Sequence, residues 1–395
     1  MDRYFRLSLR LFLGAAILIA PMAVTPTYAA PRVELIIMDP GHDVFAAFGH
    51  AALRVTDGRF DRVYNFGATD FSDPAQLIWE FLRGKSRFYL SAGSFARTVK
   101  NYSVDNRSVF RLPLLLDGHQ QKRLADMLAQ AEKHNTPYVY DHFRRNCATE
   151  LRDRIDSVVG GQLHRALLLG QTQFTFRDLA REGLSGHWPV QLFGEIILGR
   201  EADRNVTAWD AGFLPRLLAT NLRVGSRSLV GPVQVAHLGR RFVFDAEATL
   251  NSQRILWAVA GFFLLLAVGF FFAARRGRRR AGIILLLPIV VNGALGLLLW
   301  FVVAITTASI MRFNELALVF WPTDLLLLFV LLRRSRVVLG LGRWSRRYLL
   351  LRCYGLLAVV FGHLVGLLQQ EPRVMILLAL IPVLALSLLS RNPHE

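Results

Sequence analysis

The chain has 395 residues, 53% of them hydrophobic, with 47 basic and 29 acidic side chains and a formal charge of +18. That apolar content excludes a disordered or fibrous protein, and the long apolar runs in roughly the last 140 residues exclude a single soluble domain. The charge is uneven: residues 251–395 hold sixteen Arg against Glu315, Asp324, Glu371 and Glu395, whereas residues 31–250 hold 28 basic and 24 acidic side chains. Most of the excess therefore flanks membrane segments, which argues against nucleic acid as a partner.

Residues 1–30 combine Arg3, Arg6 and Arg10, an apolar stretch from Leu11 to Val24, and a small-residue ending, Thr27-Tyr28-Ala29-Ala30. This is the layout of a secretory signal cleaved after Ala29 or Ala30, with an uncleaved anchor as the alternative; either exports the region downstream of it. Residues 31–250 read as an α+β domain. Strands are expected at Val33 to Met38, Ala51 to Val55, Val63 to Phe66 and Ser108 to Leu112. Helices are expected at Asp73 to Arg83, Asp117 to His134, Cys147 to Val159, Phe176 to Arg181 and Val190 to Leu198, and Leu229 to Val243 alternates like a hairpin. Five apolar runs come next, at 255–273, 281–305, 316–332, 349–368 and 374–389, predicting an all-α five-helix membrane domain over residues 251–395. Arg275, Arg276, Arg278, Arg279 and Arg280 follow the first run. Arg333, Arg334, Arg336, Arg343, Arg346, Arg347 and Arg352 lie between the third and fourth. By the positive-inside rule these loops are cytoplasmic and residues 31–250 lie outside.

Of two cysteines, Cys147 lies in the exported region and Cys353 in or beside the fourth run, so the exported region carries a lone thiol in an oxidising compartment. A small buried hydrophobe is one explanation. The context Tyr140-Asp141-His142-Phe143-Arg144-Arg145-Asn146-Cys147 favours another: a polar, cationic loop gives way to a helix, and a sulfur at the first turn gains thiolate stabilisation from unpaired N–H groups. A thiol nucleophile needs an imidazole and a group to orient it. Among eight exported histidines His50 stands out, entering the strand Ala51-Ala52-Leu53-Arg54-Val55. A hairpin centred between Asp57 and Gly58 places His50 opposite Asn65, the expected orienter, with Asp70 in reserve. His142 is the rival base. Neither a metal site nor a phosphate-binding loop is present in the motifs, and no cofactor is expected.

Taken together, Phe48-Gly49-His50-Ala51 with Arg54, Tyr64-Asn65-Phe66-Gly67 followed by Asp70-Phe71, and Phe81-x-x-Gly84-Lys85 resemble the exported domain of Lnb-type bacterial lipoprotein N-acyltransferases. So do Tyr140-x2-Phe143-x2-Asn146-Cys147-x-Thr149-x-Leu151-Arg152-Asp153-x-Ile155-Asp156, the stretch from Leu198-Gly199 to Asp203, Phe213-Leu214-Pro215 and the five membrane helices. Phe66 departs from the pattern, which has an aromatic of the Tyr kind there, and Ala68-Thr69 fit it loosely. The resemblance implies a permuted papain-like fold, of the lecithin:retinol acyltransferase kind, and a Cys-His acyltransferase. Cys147 would be acylated from a membrane phospholipid and His50 would act as base and then acid. The acceptor would be a lipoprotein N-terminal amine at the inner (cytoplasmic) membrane. Asn146, Arg54 and Tyr64 would support the site, and the N–H of Cys147 is a candidate oxyanion donor.

In the membrane region Asn314 and Glu315 lie at the entry to the third run and Asp324 on it, roughly 13 Å deep at 1.5 Å per residue, and His363 near the outer end of the fourth. Ionisable groups there face a polar cavity or tie helices together, so Asn314, Asp324 and His363 either line a lateral path for lipid or form a structural pair. Two other functions compete with the acyltransferase: a cell-wall thiol amidase or peptidase, and a non-catalytic membrane scaffold or transporter.

Overall fold

The computed structural model describes residues 30–58, 60–223, 228–239, 252–275, 284–328, 343–370 and 373–389. The expected signal segment, Arg276 to Arg280 and Arg333 to Arg336 lie outside the described residues. An N-terminal α+β domain precedes a helical region with several apolar helices.

Strands β1 (Arg32–Met38), β2 (His50–Thr56), β3 (Asp61–Ala68), β4 (Arg87–Gly93), β5 (Val109–Pro113), β6 (Tyr138–Val139) and β9 (Gln234–His237) form one antiparallel sheet. Their order is β6-β4-β3-β2-β1-β5-β9. Central β1 is buried from Val33 to Met38 because both its faces are covered. Helices α3 (Gly118–His134) and α4 (Cys147–Val158) pack on Leu35, Leu53, Tyr64 and Phe66. Helix α2 (Phe95–Val104) covers Ile36, Ala52 and Val63 on the other face. Glu34 is the polar exception in β1, and Arg54 and Arg111 neutralise it at 2.9 and 2.6 Å.

Helix boundaries follow local chemistry. Asp73 caps α1 (Pro74–Leu82), with Pro at the first turn. Asp117 and Gln120 form a reciprocal capping box on α3, which stops at the left-handed Asn135. The order continues with α5 (Gln162–Leu168), β7 (Gln171–Thr175), α6 (Phe176–Gly183), α7 (Trp188–Ile197), β8 (Asn205–Thr207), α8 (Ala208–Ala211) and α9 (Pro215–Asn221). Strand β4 and helix α2 were not anticipated; β4 buries only Phe88 and Leu90, too few apolar positions to stand out as a period of two. Of the expected hairpin beyond Leu229, Gln234–His237 instead pairs with β5, and residues 240–243 lie outside the described residues.

In the membrane region α10 (Ser252–Arg275), α11 (Leu286–Ile305), α14 (Arg343–Leu364) and α15 (Arg373–Leu389) occupy four of the five apolar runs. Stretches of the first three are long and apolar enough to cross a bilayer, and α15 is a shorter apolar helix. The third run is not one span as far as it is described. It breaks into α12 (Ser309–Arg312) just ahead of it, α13 (Leu316–Val319), an extended Phe320-Trp321, a 3-10 turn at Pro322–Asp324, and helical residues 325–328. Pro322 cannot donate to a helical ladder, and such a break is tolerated at membrane depth only where protein covers it. Here Arg352 donates to the Val319 carbonyl at 2.9 Å.

Candidate active site

Asn146 builds the start of α4. Its amide oxygen accepts from the N–H of Ala148 (2.9 Å) and Thr149 (3.0 Å), and its NH2 donates to the carbonyls of His142 (2.8 Å) and Phe213 (2.9 Å). Thr149 Oγ1 accepts from the Asn146 N–H at 2.7 Å, which completes a capping box. With every polar atom committed, Asn146 is a positioning residue: it fixes the first turn on which Cys147 sits. The Cys147 sulfur is buried and within reach of the N–H groups of Ala51 and Ala148. Burial outweighs those donors and pushes the thiol up to about 11. The thiolate expected from the helix start alone is therefore not the resting form.

His50 opens β2 opposite Met38 of β1. It follows Gly49, whose φ of +73° and 2.6 Å approach of a would-be Cβ to the Met38 carbonyl admit only glycine. Burial and the nearby Arg107 charge lower His50 to about 4, and the Asn65 side chain, within hydrogen-bonding reach, pulls the other way by favouring the imidazolium. Arg107 is itself fixed, donating to the Asp39 carbonyl at 2.8 Å and lying over the Tyr102 ring at 4.4 Å. The expected register needs correction: β2 and β3 pair Leu53 with Tyr64 and Thr56 with Asp61, two residues away from the predicted alignment. The turn is longer than two residues, since Asp57 N–H bonds to the Phe60 carbonyl at 3.4 Å. Asn65 stays on the His50 face as a diagonal neighbour because a shift of two conserves facing.

Because Cys147 sits against the Ala51 N–H, its sulfur reaches the peptide immediately after His50. Tyr140 completes this group: its phenol feels the Cys147 N–H, its ring stacks on Phe88 with centroids 4.1 Å apart, and it is raised well above the usual phenol range, chiefly by burial. Sequence reasoning missed Tyr140 and Arg107. The first opens the motif that leads to Cys147 but carried no assigned role there, and the second was one Arg among many.

Other expected site residues lie elsewhere. Asp70 is exposed and accepts from the Ser72 N–H at 2.9 Å in its own loop, so it does not orient His50. Arg54 is held between Glu34 and Asp61 with its guanidinium 4.0 Å from the Phe95 ring centroid, and Tyr64 is buried in the core on the face opposite Asn65. Both are structural. His142 meets Phe81 and Tyr140 edge-on at 5.0 Å and faces solvent beside the thiol helix. Asn314 donates to the Ile196 carbonyl at 2.7 Å and belongs to the junction with α7. Asp324 is not on an open lipid path: it is buried against Arg352 at 2.8 Å and Tyr348 at 2.7 Å. The depth expected for it assumed a continuous helix that Pro322 interrupts. His363 lies eleven residues from Arg352 along α14, about 16 Å at 1.5 Å per residue, too far to share a polar cavity with Asp324.

Residues 21–182 match the Lnb N-terminal periplasmic domain and residues 256–391 the Lnb transmembrane domain. The chain belongs to the Lnb family. No curated protein and no solved structure matches it.

In this Lnb protein the two regions are joined by main-chain contacts close to the site. Thr307, just beyond α11, donates its N–H to the Arg83 carbonyl at 3.0 Å. There Gly84 is required, since a Cβ would come within 2.6 Å of the Ala308 nitrogen. Gly199 N–H bonds to the Ile310 carbonyl at 2.7 Å, and Gln370 donates to the Leu198 carbonyl at 3.0 Å. Ser252, at the start of α10, donates to Glu195, which also pairs with Arg181. The seam borders an open cleft of about 650 Å3 with walls that include Phe81, Lys85, Tyr140, His142 and Met311.

Proposed function

We propose that this Lnb protein is a thiol acyltransferase of permuted papain-like type. It moves an acyl chain from a membrane phospholipid through Cys147 to the N-terminal amine of a lipoprotein, at the outer face of the bacterial inner membrane. The observation that carries this reading is the placement of a buried thiol, at a capped helix start, against the peptide that follows His50, beside a seam with the membrane region.

The resting pair is neutral thiol and neutral imidazole. As the sulfur attacks the glycerol ester carbonyl, His50 takes its proton, and Asn65 favours the imidazolium that forms. The tetrahedral oxyanion is met by the Cys147 N–H, with the Tyr140 hydroxyl as second donor. Collapse breaks the ester C–O bond; His50 returns the proton to the glycerol oxygen, leaving a lysophospholipid and acyl-Cys147. The acceptor amine then attacks the thioester, the C–S bond breaks, an amide forms, and the amine proton passes by way of His50 to the sulfur. Burial protects the thioester from water between the half-reactions.

Full-length protein in phospholipid nanodiscs is incubated with a diacylated lipopeptide, whose mass is then measured. A gain of one acyl chain, absent in Cys147→Ala and His50→Ala, is expected. Cys147-dependent cleavage of a cell-wall peptide without acyl transfer would replace this reading with the hydrolase, and activity indifferent to Cys147 would leave the scaffold.

A further inference from the structure

The seam cleft carries charge that the chemistry at Cys147 does not require. Lys85 and Arg87 line it, are exposed, and form no ion pair among the described residues. Arg144 adds a third cation, tethered to Glu201 at 2.6 Å. The carboxylate in the wall, Asp141, is committed through one oxygen to the N–H groups of Phe143 and Arg144, both at 2.9 Å. Phe81, Val139, Ile310 and Met311 add apolar lining beside the polar Thr307 and Ser309.

Position gives this charge its meaning. The cleft wall from Thr307 to Met311 begins two residues after the end of the membrane-length helix α11. Alongside, α1 exposes Ile78 and Trp79 to the extents of 55% and 43%. Trp79 stacks on Phe301 of α11 at 6.2 Å, and Arg83 lies 5.5 Å over the same indole. An indole with a cation at the end of an apolar span marks the headgroup level of a bilayer. The inner wall is Tyr140, whose phenol also bears on the Cys147 N–H.

We propose that this cleft binds the phosphodiester headgroup of the donor phospholipid, with Lys85 and Arg87 holding the phosphate and Tyr140 separating it from the thiol. The proposal rests on the acyltransferase reading for the word donor, and it replaces a path through the membrane bundle with one along the seam. A phosphate held there leaves the glycerol esters facing Tyr140 and the acyl chains running past Phe81 and Met311 toward the apolar surface of α1.

Lipid retention is read by native mass spectrometry on full-length protein in mixed micelles containing phosphatidylglycerol. Wild type and Cys147→Ala are expected to retain the lipid alike. Lys85→Glu/Arg87→Glu is expected to bind it at least about tenfold more weakly and to raise KM for it similarly, with kcat within about threefold, since charge-assisted contacts to phosphate are lost. Lys85→Gln/Arg87→Gln, with a melting temperature matched to wild type, should fall between. Unchanged retention in the charge-reversed protein overturns the proposal, as does equal competition by inorganic phosphate, which would mark a site for free phosphate. Retention lost on charge reversal in a protein whose wild type transfers no acyl chain upholds the lipid site and removes the acyltransferase reading instead.

Discussion

Burial leaves Cys147 and His50 both uncharged at neutral pH, so under the proposed acyl transfer the nucleophile would form only as the proton moves to the imidazole during attack. With His50 lowered to about 4, the acid limb of kcat/KM for acyl transfer is expected near that value and well below 6.5, as a pH-rate profile would reveal. The same group ties stability to pH. Between pH 6.5 and about 4 the unfolded imidazole binds a proton that the folded one refuses. Stability is therefore present above 6.5 and is lost as pH falls toward 4, by up to roughly 3 kcal/mol. Thermal melts of His50→Gln should show a shallower slope across that window; an unchanged slope would mean that His50 is solvated. Tyr140→Phe removes the proposed oxyanion donor and should lower kcat about a hundredfold. Alkylation of Cys147 by iodoacetamide should stay within about threefold of wild type, because the thiol itself is untouched.

At the scale of elements, the site is a helix start held against a strand end. Asn146→Ala removes two acceptor contacts to the first turn and leaves the buried Phe213 carbonyl and the partly buried His142 carbonyl without their donor. A loss of about 2 kcal/mol or more is expected, measurable as a lower melting temperature, together with slower thiol alkylation or transfer as Cys147 shifts. Asn146→Asp keeps the cap and loses the donors, so it should recover only part of that stability. Full recovery would assign the role of Asn146 to capping alone.

For the whole molecule, the exported domain and the membrane region share one polar junction, and the membrane helices carry their own buried pair. Arg352 is 0% exposed and binds Asp324 with two nitrogens, at 2.8 and 2.9 Å, beneath the Trp321 ring. Asp324→Asn strands a buried guanidinium and should cost several kcal/mol, seen as loss of folded protein in detergent. Asp324→Leu/Arg352→Met removes both charges and should regain folding with acyl transfer intact. An active double variant marks the pair as structural, whereas a folded but inactive one would give it a part in the reaction.

Much of this protein was legible in its residues because the signals are local. Asp73-Pro74, Asp117 to Gln120 and Asn146 to Thr149 announce helix starts through side chains that satisfy their own backbone. Alternation marks the strands around His50, and long apolar runs with Arg clusters mark the membrane region. The face shared by His50 and Asn65 was legible too, although their register was not, since one longer turn moves the pairing by two. Tertiary structure alone decided what depends on burial and on contacts distant in sequence. Desolvation made the Cys147 thiol neutral where the helix start by itself favoured a thiolate. Arg107 came to His50 by a fold that joins residues 57 positions apart. Arg352 drew Asp324 into an ion pair and away from any lipid path, and the seam took shape only where Arg83 meets Thr307.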